Sequence, residues 1–180
     1  MTSVERRARL PVETQAKTAL CRASLLALAT AFELASERVP ELKAEMTTWR
    51  DGLRVTIGVL PAGPCMHIEK RGDRIRYLGS RPVRSDVSIL FKNLDSALLV
   101  FTARIGAHRA VAENRVIVYG STHEALSVTR AMAVVQTYLF PGAFLKRTFK
   151  RPPKLTPAQM ARKALILGLL VPALSRTALR

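Results

Sequence analysis

Four short segments of alternating apolar and polar residues follow one another early in the chain, and this series constrains the fold most. Side chains of a β-strand point alternately to opposite faces, so each segment predicts a strand with one buried face. The four segments and a fifth further along are Leu53–Val59, Met66–Lys70, Arg74–Leu78, Asp86–Phe91 and Arg115–Tyr119. Turn-forming residues link the first three, including Arg71-Gly72-Asp73, which predicts a hairpin.

Helical periodicity flanks the strands on both sides. Apolar residues recur at intervals of three and four over residues 13–38, and Pro40 is expected to stop or kink that helix. A helix is predicted from Leu94 to Ile105 behind an Asn93 cap. Another is predicted from the Ser121–Glu124 capping box to Leu139.

The C-terminal third of the chain is both basic and apolar. Beyond Glu124 lie ten of the 29 Lys and Arg residues and none of the 13 Asp and Glu residues. Thr156-Pro157 opens a last helix with an uncharged run, Ala164–Ser175, in which Pro172 should bend or end the helix. Cations beside apolar surface favour an anionic membrane as partner. The cations predicted to contact it are Lys146, Arg147, Lys150, Arg151 and Lys154.

The chain is predicted to divide into three parts and to attach to a membrane peripherally, in the cytoplasm. The parts are an N-terminal segment with a long helix (residues 1–39), a main domain (40–140), and a basic linker with an apolar helix (141–180). No run reaches the roughly 18–20 apolar residues that span a bilayer. Glu33 and Glu37 directly follow the apolar stretch Ala23–Phe32, which argues against a signal peptide.

Residues that usually carry catalysis are few. The histidines are His67, His108 and His123, and no metalloprotease, nucleophile-elbow or phosphate-loop motif includes any of them. Cys21 and Cys65 form no CxxC motif and are predicted to be two buried thiols. As a nucleophile, Cys65 would require a depressed pKa. We therefore expect a protein that is not an enzyme and that has no metal site and no cofactor.

Four glutamates recur every fourth residue. They are Glu33, Glu37, Glu41 and Glu45. Such spacing places side chains on one side of a helix, and it predicts a solvated helix face rather than a cluster of catalytic acids.

The motifs between Trp49 and Leu139 resemble the lipid-binding domain of the sterol carrier protein type 2 family, in a bacterial-type form. The strand Asp86–Phe91 leads to a helix and to Gly106, and the strand at Arg115–Tyr119 closes with Gly120 before the next helix. Ser121 stands where the family has an Asp. The resemblance covers roughly residues 40–140. It implies an α+β fold with a twisted, mainly antiparallel five-stranded sheet covered by helices on one face, here with an extra C-terminal helix.

The resemblance also implies an apolar tunnel between sheet and helices that holds a lipid or isoprenoid-type ligand. The residues predicted to line it are Leu98, Phe101, Ile105, Val116, Val118, Val128, Met132 and Val135. The sequence does not distinguish a lined tunnel from a filled core made of the same residues. The leading hypothesis is a non-enzymatic lipid carrier.

Two alternatives stay open. One is an accessory or scaffold subunit of a lipid biosynthesis complex, for example one that makes a quinone. The other is a nucleic-acid-binding protein, which the pI of about 11.2 suggests. Against it, Phe149 is the sole aromatic residue in the basic run 146–154, so stacking on bases is poorly provided for. No nucleic acid is expected as partner, and the oligomeric state is left open.

Overall fold

The computed structural model describes residues 11–102, 104–140 and 155–178. Over these residues the elements are, in chain order, α1 (Val12–Arg38), α2 (Pro40–Met46), β1 (Arg54–Val59), β2 (Cys65–Arg71), β3 (Arg74–Gly79), β4 (Val87–Phe91), α3 (Leu94–Phe101), α4 (Ala107–Ala112), β5 (Val116–Tyr119), α5 (Thr122–Leu139) and α6 (Pro157–Ala178). The α+β class and the five strands that the sequence predicts are confirmed.

The five strands form one mixed sheet in the order β3-β2-β1-β4-β5. The pairs β1–β2, β2–β3 and β4–β5 are antiparallel, and β1 runs parallel to β4. β3 and β4 are therefore separated by two strands, and the connection between them must pass over one face of the sheet. Ser85 of that connection contacts Thr56 of β1 through its hydroxyl group, so the connection crosses the face to which Thr56 points.

The opposite face of the sheet carries the core. Alternate residues of β1, β2 and β4 are buried there, and the helices pack on them. Phe91 of β4 and Phe101 of α3 pack edge to face, with their ring centroids 5.2 Å apart. The same cluster includes Phe32 of α1 and Ile166 of α6, both fully buried. Each such large side chain stabilises the fold by about 1.5–3 kcal/mol.

The structure contains two helices, α2 and α4, that were not predicted, and α3 is shorter than predicted. Pro40 does end α1 but also begins α2, where a proline in the first turn costs nothing because its missing N–H would have no partner there. α3 ends at Phe101 instead of Ile105, and the backbone N–H of Ile105 donates back to Leu99. Gly106 then precedes α4.

The four spaced glutamates do not form a solvated face, and that prediction was wrong. Glu33 accepts a hydrogen bond from the backbone N–H of Tyr77 in β3. Glu37, Glu41 and Glu45 bind side chains of other elements: Arg74, Tyr138 with Gln159, and Arg130 respectively. The spacing is split between α1 and α2, so the four carboxylates join these helices to β3, α5 and α6.

The predicted helix starts are confirmed by their hydrogen bonds. The side chains of Asn93 and Ser121 accept from the backbone N–H groups three residues on. Thr156 and Gln159 each bond the other's backbone N–H, which is a complete capping box. Pro172 does not end α6, which continues to Ala178; a proline removes a single backbone donor, and a helix accommodates this by bending.

Candidate functional site

The eight residues predicted to line a lipid tunnel lie on the helix-covered side of the sheet. Phe101, Ile105, Val116, Val128, Met132 and Val135 are buried. Leu98 is half-buried, and Val118 is 38% exposed. Phe101 lines a void of about 10 Å³, room for about one water molecule. The role of these residues in lipid binding stays a prediction.

A larger cavity lies at the edge of the sheet, and we call it the edge cavity. Its volume is about 760 Å³, within the range of about 300–1,000 Å³ that is usual for ligand sites. It lies between α1, the end of β3 and the start of β2. Its lining residues are Arg22, Leu25, Leu26, Gly63, Pro64, Cys65, Tyr77, Leu78, Gly79, Ser80 and Arg81.

The lining of the edge cavity includes both apolar and charged side chains. Leu25 is buried, and Leu26 and Leu78 are half-buried, so they supply an apolar wall. Arg22 and Arg81 are exposed at the solvent side. Apolar surface beside two guanidinium groups suits a ligand with an apolar chain and an anionic head.

Cys65 belongs both to the edge cavity and to a chain of hydrogen bonds across the outer face of the sheet. Its Sγ lies 3.4 Å from Nε2 of His67 and 3.3 Å from the backbone oxygen of Ser80. Nδ1 of His67 lies 2.7 Å from Oγ1 of Thr56, which in turn contacts Ser85. Burial lowers the pKa of His67 and raises the pKa of the Cys65 thiol, so both groups are neutral at pH 7.

The Cys65–His67 pair is not among the predictions from the sequence, although the sequence contains a pattern that indicates it. Residues two apart on a strand point to the same face, so a Cys-x-His pattern in β2 places both side chains together. Cys21 is buried as predicted, whereas Cys65 is only half-buried. His108 falls within α4, and His123 lies in the first turn of α5, on different elements from His67. In the described parts of the chain, no three His, Cys, Asp or Glu side chains are grouped so that they could hold a metal ion.

α6 packs on the rest of the protein with one side and leaves the other side open. Ile166 is fully buried, and Lys163 donates to the backbone oxygens of Thr137 (2.8 Å) and Phe140 at the end of α5. Gln159 donates to Glu41 over 2.6 Å. The exposed apolar residues of α6 are Met160 (61% exposed), Leu165 (51%) and Val171 (74%).

A second cavity, of about 240 Å³, lies where α6 meets α2 and α5. Its lining residues are Glu41, Ala133, Val134, Thr137, Tyr138, Leu155 and Gln159. The carboxylate of Glu41 accepts hydrogen bonds from the side-chain amide of Gln159 and from the hydroxyl group of Tyr138. Burial acts to raise the pKa of Glu41, but the hydrogen bonds from Gln159, a backbone N–H and Tyr138, together with the charge of Arg162, outweigh it, and the net pKa is lowered. The carboxylate that lines this cavity therefore already has its hydrogen-bond partners.

Two helices are long and apolar enough to cross a membrane, judged by length and composition alone: Val12–Arg38 and Pro157–Ser175. Neither helix contains an uninterrupted run of 18 apolar residues, so both qualify on mean hydropathy over the window. In α1, 44% of the most apolar 18-residue window is buried, as in a core helix, but in α6 only 6% is buried. The five cations predicted to contact a membrane, Lys146 to Lys154, lie outside the described residues.

No family model matches the sequence, and no curated protein matches it. Among solved structures, the chain is similar to one described as "UbiJ-SCP2 Ubiquinone synthesis protein" (12% identity, TM-score 0.45, covering 69% of this chain and 99% of that one). It is also similar to a crystal structure of sterol carrier protein 2 (14% identity, TM-score 0.46, covering 64% and 95%). A third is a possible sterol carrier protein from Thermus thermophilus (16% identity, TM-score 0.43, covering 61% and 85%).

At these identities the similarity concerns the arrangement of strands and helices and says nothing about a ligand. The described elements include the sheet, the helices on one of its faces and the extra C-terminal helix. In fold, this chain is similar to the sterol carrier protein 2 domains, the family that its sequence motifs resemble.

Proposed function

We propose that this protein is a lipid carrier that holds one apolar lipid with an anionic head group in the edge cavity. The observation that carries the proposal is the lining of that cavity, which includes leucines of α1 and β3 together with two exposed arginines. A volume of about 760 Å³ suffices for a long apolar chain. Burying that chain against the leucines favours binding by about 25 cal/mol for each Å² removed from water.

The protein docks on anionic membranes through its C-terminal part. Exposed apolar side chains of α6 supply surface for the lipid interface, and the basic residues 146–154 precede this helix in the chain. Apolar surface and cations together are what peripheral membrane attachment requires. The predicted cytoplasmic, membrane-associated location follows from this proposal.

Native mass spectrometry of gently purified protein tests the lipid proposal. We expect a bound lipid that negative-ion fragmentation identifies as anionic. Leu26→Trp should remove it, because the indole ring occupies the edge cavity. Leu20→Trp is the matched control, because Leu20 is on the same helix, 50% exposed, and outside the cavity lining; this variant should keep the lipid.

A third variant separates the edge cavity from the predicted tunnel. Val118→Trp places a large side chain among the eight predicted lining residues. Because Val118 is already partly exposed, the substitution should lower the stability of the fold little. If Val118→Trp removes the lipid while Leu26→Trp retains it, the ligand lies between sheet and helices and not in the edge cavity. Protein that carries no lipid in any variant, and takes up none from vesicles, would contradict lipid carriage altogether.

A further inference from the structure

We propose that Cys65 is a nucleophile with His67 as its general base, and that it accepts the acyl group of a long-chain acyl thioester held in the edge cavity. The proposal rests on the proposed lipid function of that cavity and adds a covalent step to it. Three observations carry it: the hydrogen-bond chain behind the thiol, the access to the thiol, and the lining of the cavity.

The hydrogen-bond chain fixes the tautomer of His67. The backbone oxygen of Val83 can only accept, so the Ser85 hydroxyl donates to it over 3.3 Å. Ser85 must then accept from Thr56, and Thr56 accepts from Nδ1–H of His67. Nε2 of His67 is left without a proton, and it lies 3.4 Å from Sγ of Cys65. The resting thiol donates its one proton to the backbone oxygen of Ser80 over 3.3 Å, so the S–H bond must rotate toward Nε2 before His67 can take the proton. A nucleophile, a base and a group that orients the base are thus in sequence, as nucleophilic catalysis requires.

The ground state is a neutral thiol beside a neutral imidazole, since burial disfavours the charged form of each. The thiol is therefore not ionised in advance, unlike those cysteines whose pKa is depressed by a positive charge. Its proton moves to Nε2 as the sulfur attacks. This assigns His67 the role of a base that acts during the reaction.

The thiol is accessible from the edge cavity. Gly58 is the residue of β1 that pairs with Cys65, and it places no side chain beside the sulfur. A Cβ atom at Gly58 would lie 2.8 Å from Cβ of Cys65, so a larger residue there would crowd Cys65. Cys65 is itself one of the cavity-lining residues and only half-buried. Because Sγ lies on the outer face beside Ser80, an electrophile must approach it from the Ser80–Arg81 end of the cavity.

The lining defines the class of electrophile. Leu25, Leu26 and Leu78 accommodate an apolar chain, and the two arginines attract the phosphate groups of a phosphorylated thiol carrier such as coenzyme A. In the reaction Sγ forms a bond to the acyl carbon while His67 takes the thiol proton. The bond between that carbon and the carrier's sulfur breaks, and the leaving thiolate takes the proton from His67. The product is S-acylated Cys65, and no oxidant or reductant is required.

The test uses the full-length protein and hexadecanoyl-coenzyme A. Intact-mass spectrometry should show the addition of one acyl group, peptide mapping should place it on Cys65, and neutral hydroxylamine should remove it. Cys21→Ser is the matched control for the other cysteine and should acylate normally. Cys65→Ser should not acylate, yet it should still bind lipid non-covalently, so loss of acylation alone leaves lipid carriage intact.

His67→Gln tests the base, because glutamine keeps a polar side chain for Thr56 but cannot take the proton. The acylation rate should fall about 100-fold. In the wild-type protein the rate should rise with pH through the lowered pKa of His67 and again as the thiol ionises; the variant should lose the lower rise. On this face Arg54 and Glu69 pair with each other, and hydrogen bonds from Arg54 and Arg71 lower the pKa of Glu69, so it does not titrate in this range. The cavity beside Cys65 adds Arg22, Arg81 and Tyr77, and burial raises the pKa of Tyr77.

Circular dichroism and thermal unfolding should show that Cys65→Ser and His67→Gln both fold. Acylation on Cys21, equal rates for wild type and His67→Gln, or equal rates for hexadecanoyl- and acetyl-coenzyme A would each overturn the proposal. The last comparison is specific to the cavity: Leu26→Trp should slow the long-chain reaction, whereas Leu20→Trp, outside the cavity lining, should keep the wild-type rate.

Discussion

At the scale of single residues, Gly120 shows why one position of the family-like motif tolerates no side chain. Its φ is +100°, which L-residues with a Cβ rarely adopt. A Cβ there would lie 2.1 Å from the backbone oxygen of Asp86. Asp86 in turn accepts from the backbone N–H of Arg54 and forms an ion pair with Arg50. The glycine therefore allows β5 to end directly against the start of β4.

Gly120→Ala should lower the free energy of unfolding by about 3 kcal/mol, because it combines the conformational strain of about 1–2 kcal/mol with a backbone clash. Gly72→Ala is the matched control: φ is +57°, but nothing lies within 4 Å of the added Cβ. It should cost only the strain, about 1 kcal/mol. Urea unfolding of both variants measures the difference, and equal losses would show that the contact with Asp86 is unimportant.

At the scale of elements, the regular periodic segments could be predicted from the sequence and the contacts between elements could not. The five strands and the caps at Asn93 and Ser121 depend on neighbours in sequence, so local patterns suffice. The partners of Glu41 are Tyr138 and Gln159, 97 and 118 residues away. No local pattern distinguishes such a carboxylate from a solvated one, and the spacing of four fits both.

In the candidate site, too, the local features could be predicted from the sequence and the contacts between elements could not. Cys65 and His67 are close in sequence and could have been paired from strand periodicity alone. Thr56 and Ser85 could not, because they reach His67 only through strand pairing and through a connection that crosses the sheet. The edge cavity likewise needs α1 beside β3, and the sequence does not state which edge of the sheet α1 covers.

The contacts of α6 with α2 and α5 lead to a prediction for this element. The double substitution Gln159→Ala/Lys163→Ala removes the bonds to Glu41 and to the end of α5, and with them the bond from the backbone N–H of Thr156 to the Gln159 side chain. Amide hydrogen exchange over residues 160–178 should become about 10-fold faster or more, as expected for losing about 1.4 kcal/mol of hydrogen bonding. Met160→Ala, at an exposed position of the same turn, should change nothing. Unchanged exchange in the double variant would mean that α6 is held by Ile166 and its apolar neighbours alone.

At the scale of the whole molecule, α1, the sheet, α5 and α6 share one core. Cys21 and Phe32 of α1 belong to the same buried cluster as Ile166 of α6. Removing residues 140–180 would therefore uncover part of that core as well as delete the proposed membrane anchor. A truncated protein would confuse the two effects, so membrane attachment is better tested by substitutions that leave α6 in place.

Vesicle flotation of charge variants provides that test. Each cation near an anionic surface contributes up to about 1 kcal/mol. Changing Lys146, Arg147, Lys150, Arg151 and Lys154 to Gln should therefore weaken binding to mixed phosphatidylcholine–phosphatidylglycerol vesicles by about 100-fold or more. Wild-type binding should be lost on pure phosphatidylcholine and in about 1 M salt, where the screening length is about 3 Å.

As a control for net charge, three exposed arginines elsewhere on the protein are substituted by Gln: Arg76, Arg84 and Arg104. Binding should then fall far less than with the five substitutions, because attraction by a membrane depends on cations at its surface and not on the net charge of +16. Leu165→Ser with Val171→Ser tests the apolar part, since both side chains are exposed on α6 and their loss uncovers nothing. If the arginine control weakens binding as much as the five substitutions do, the whole surface is attracted and the C-terminal segment is no anchor. If the serine variant binds like the wild type, α6 stays packed on the protein and the cations of residues 146–154 make the contact with the lipid.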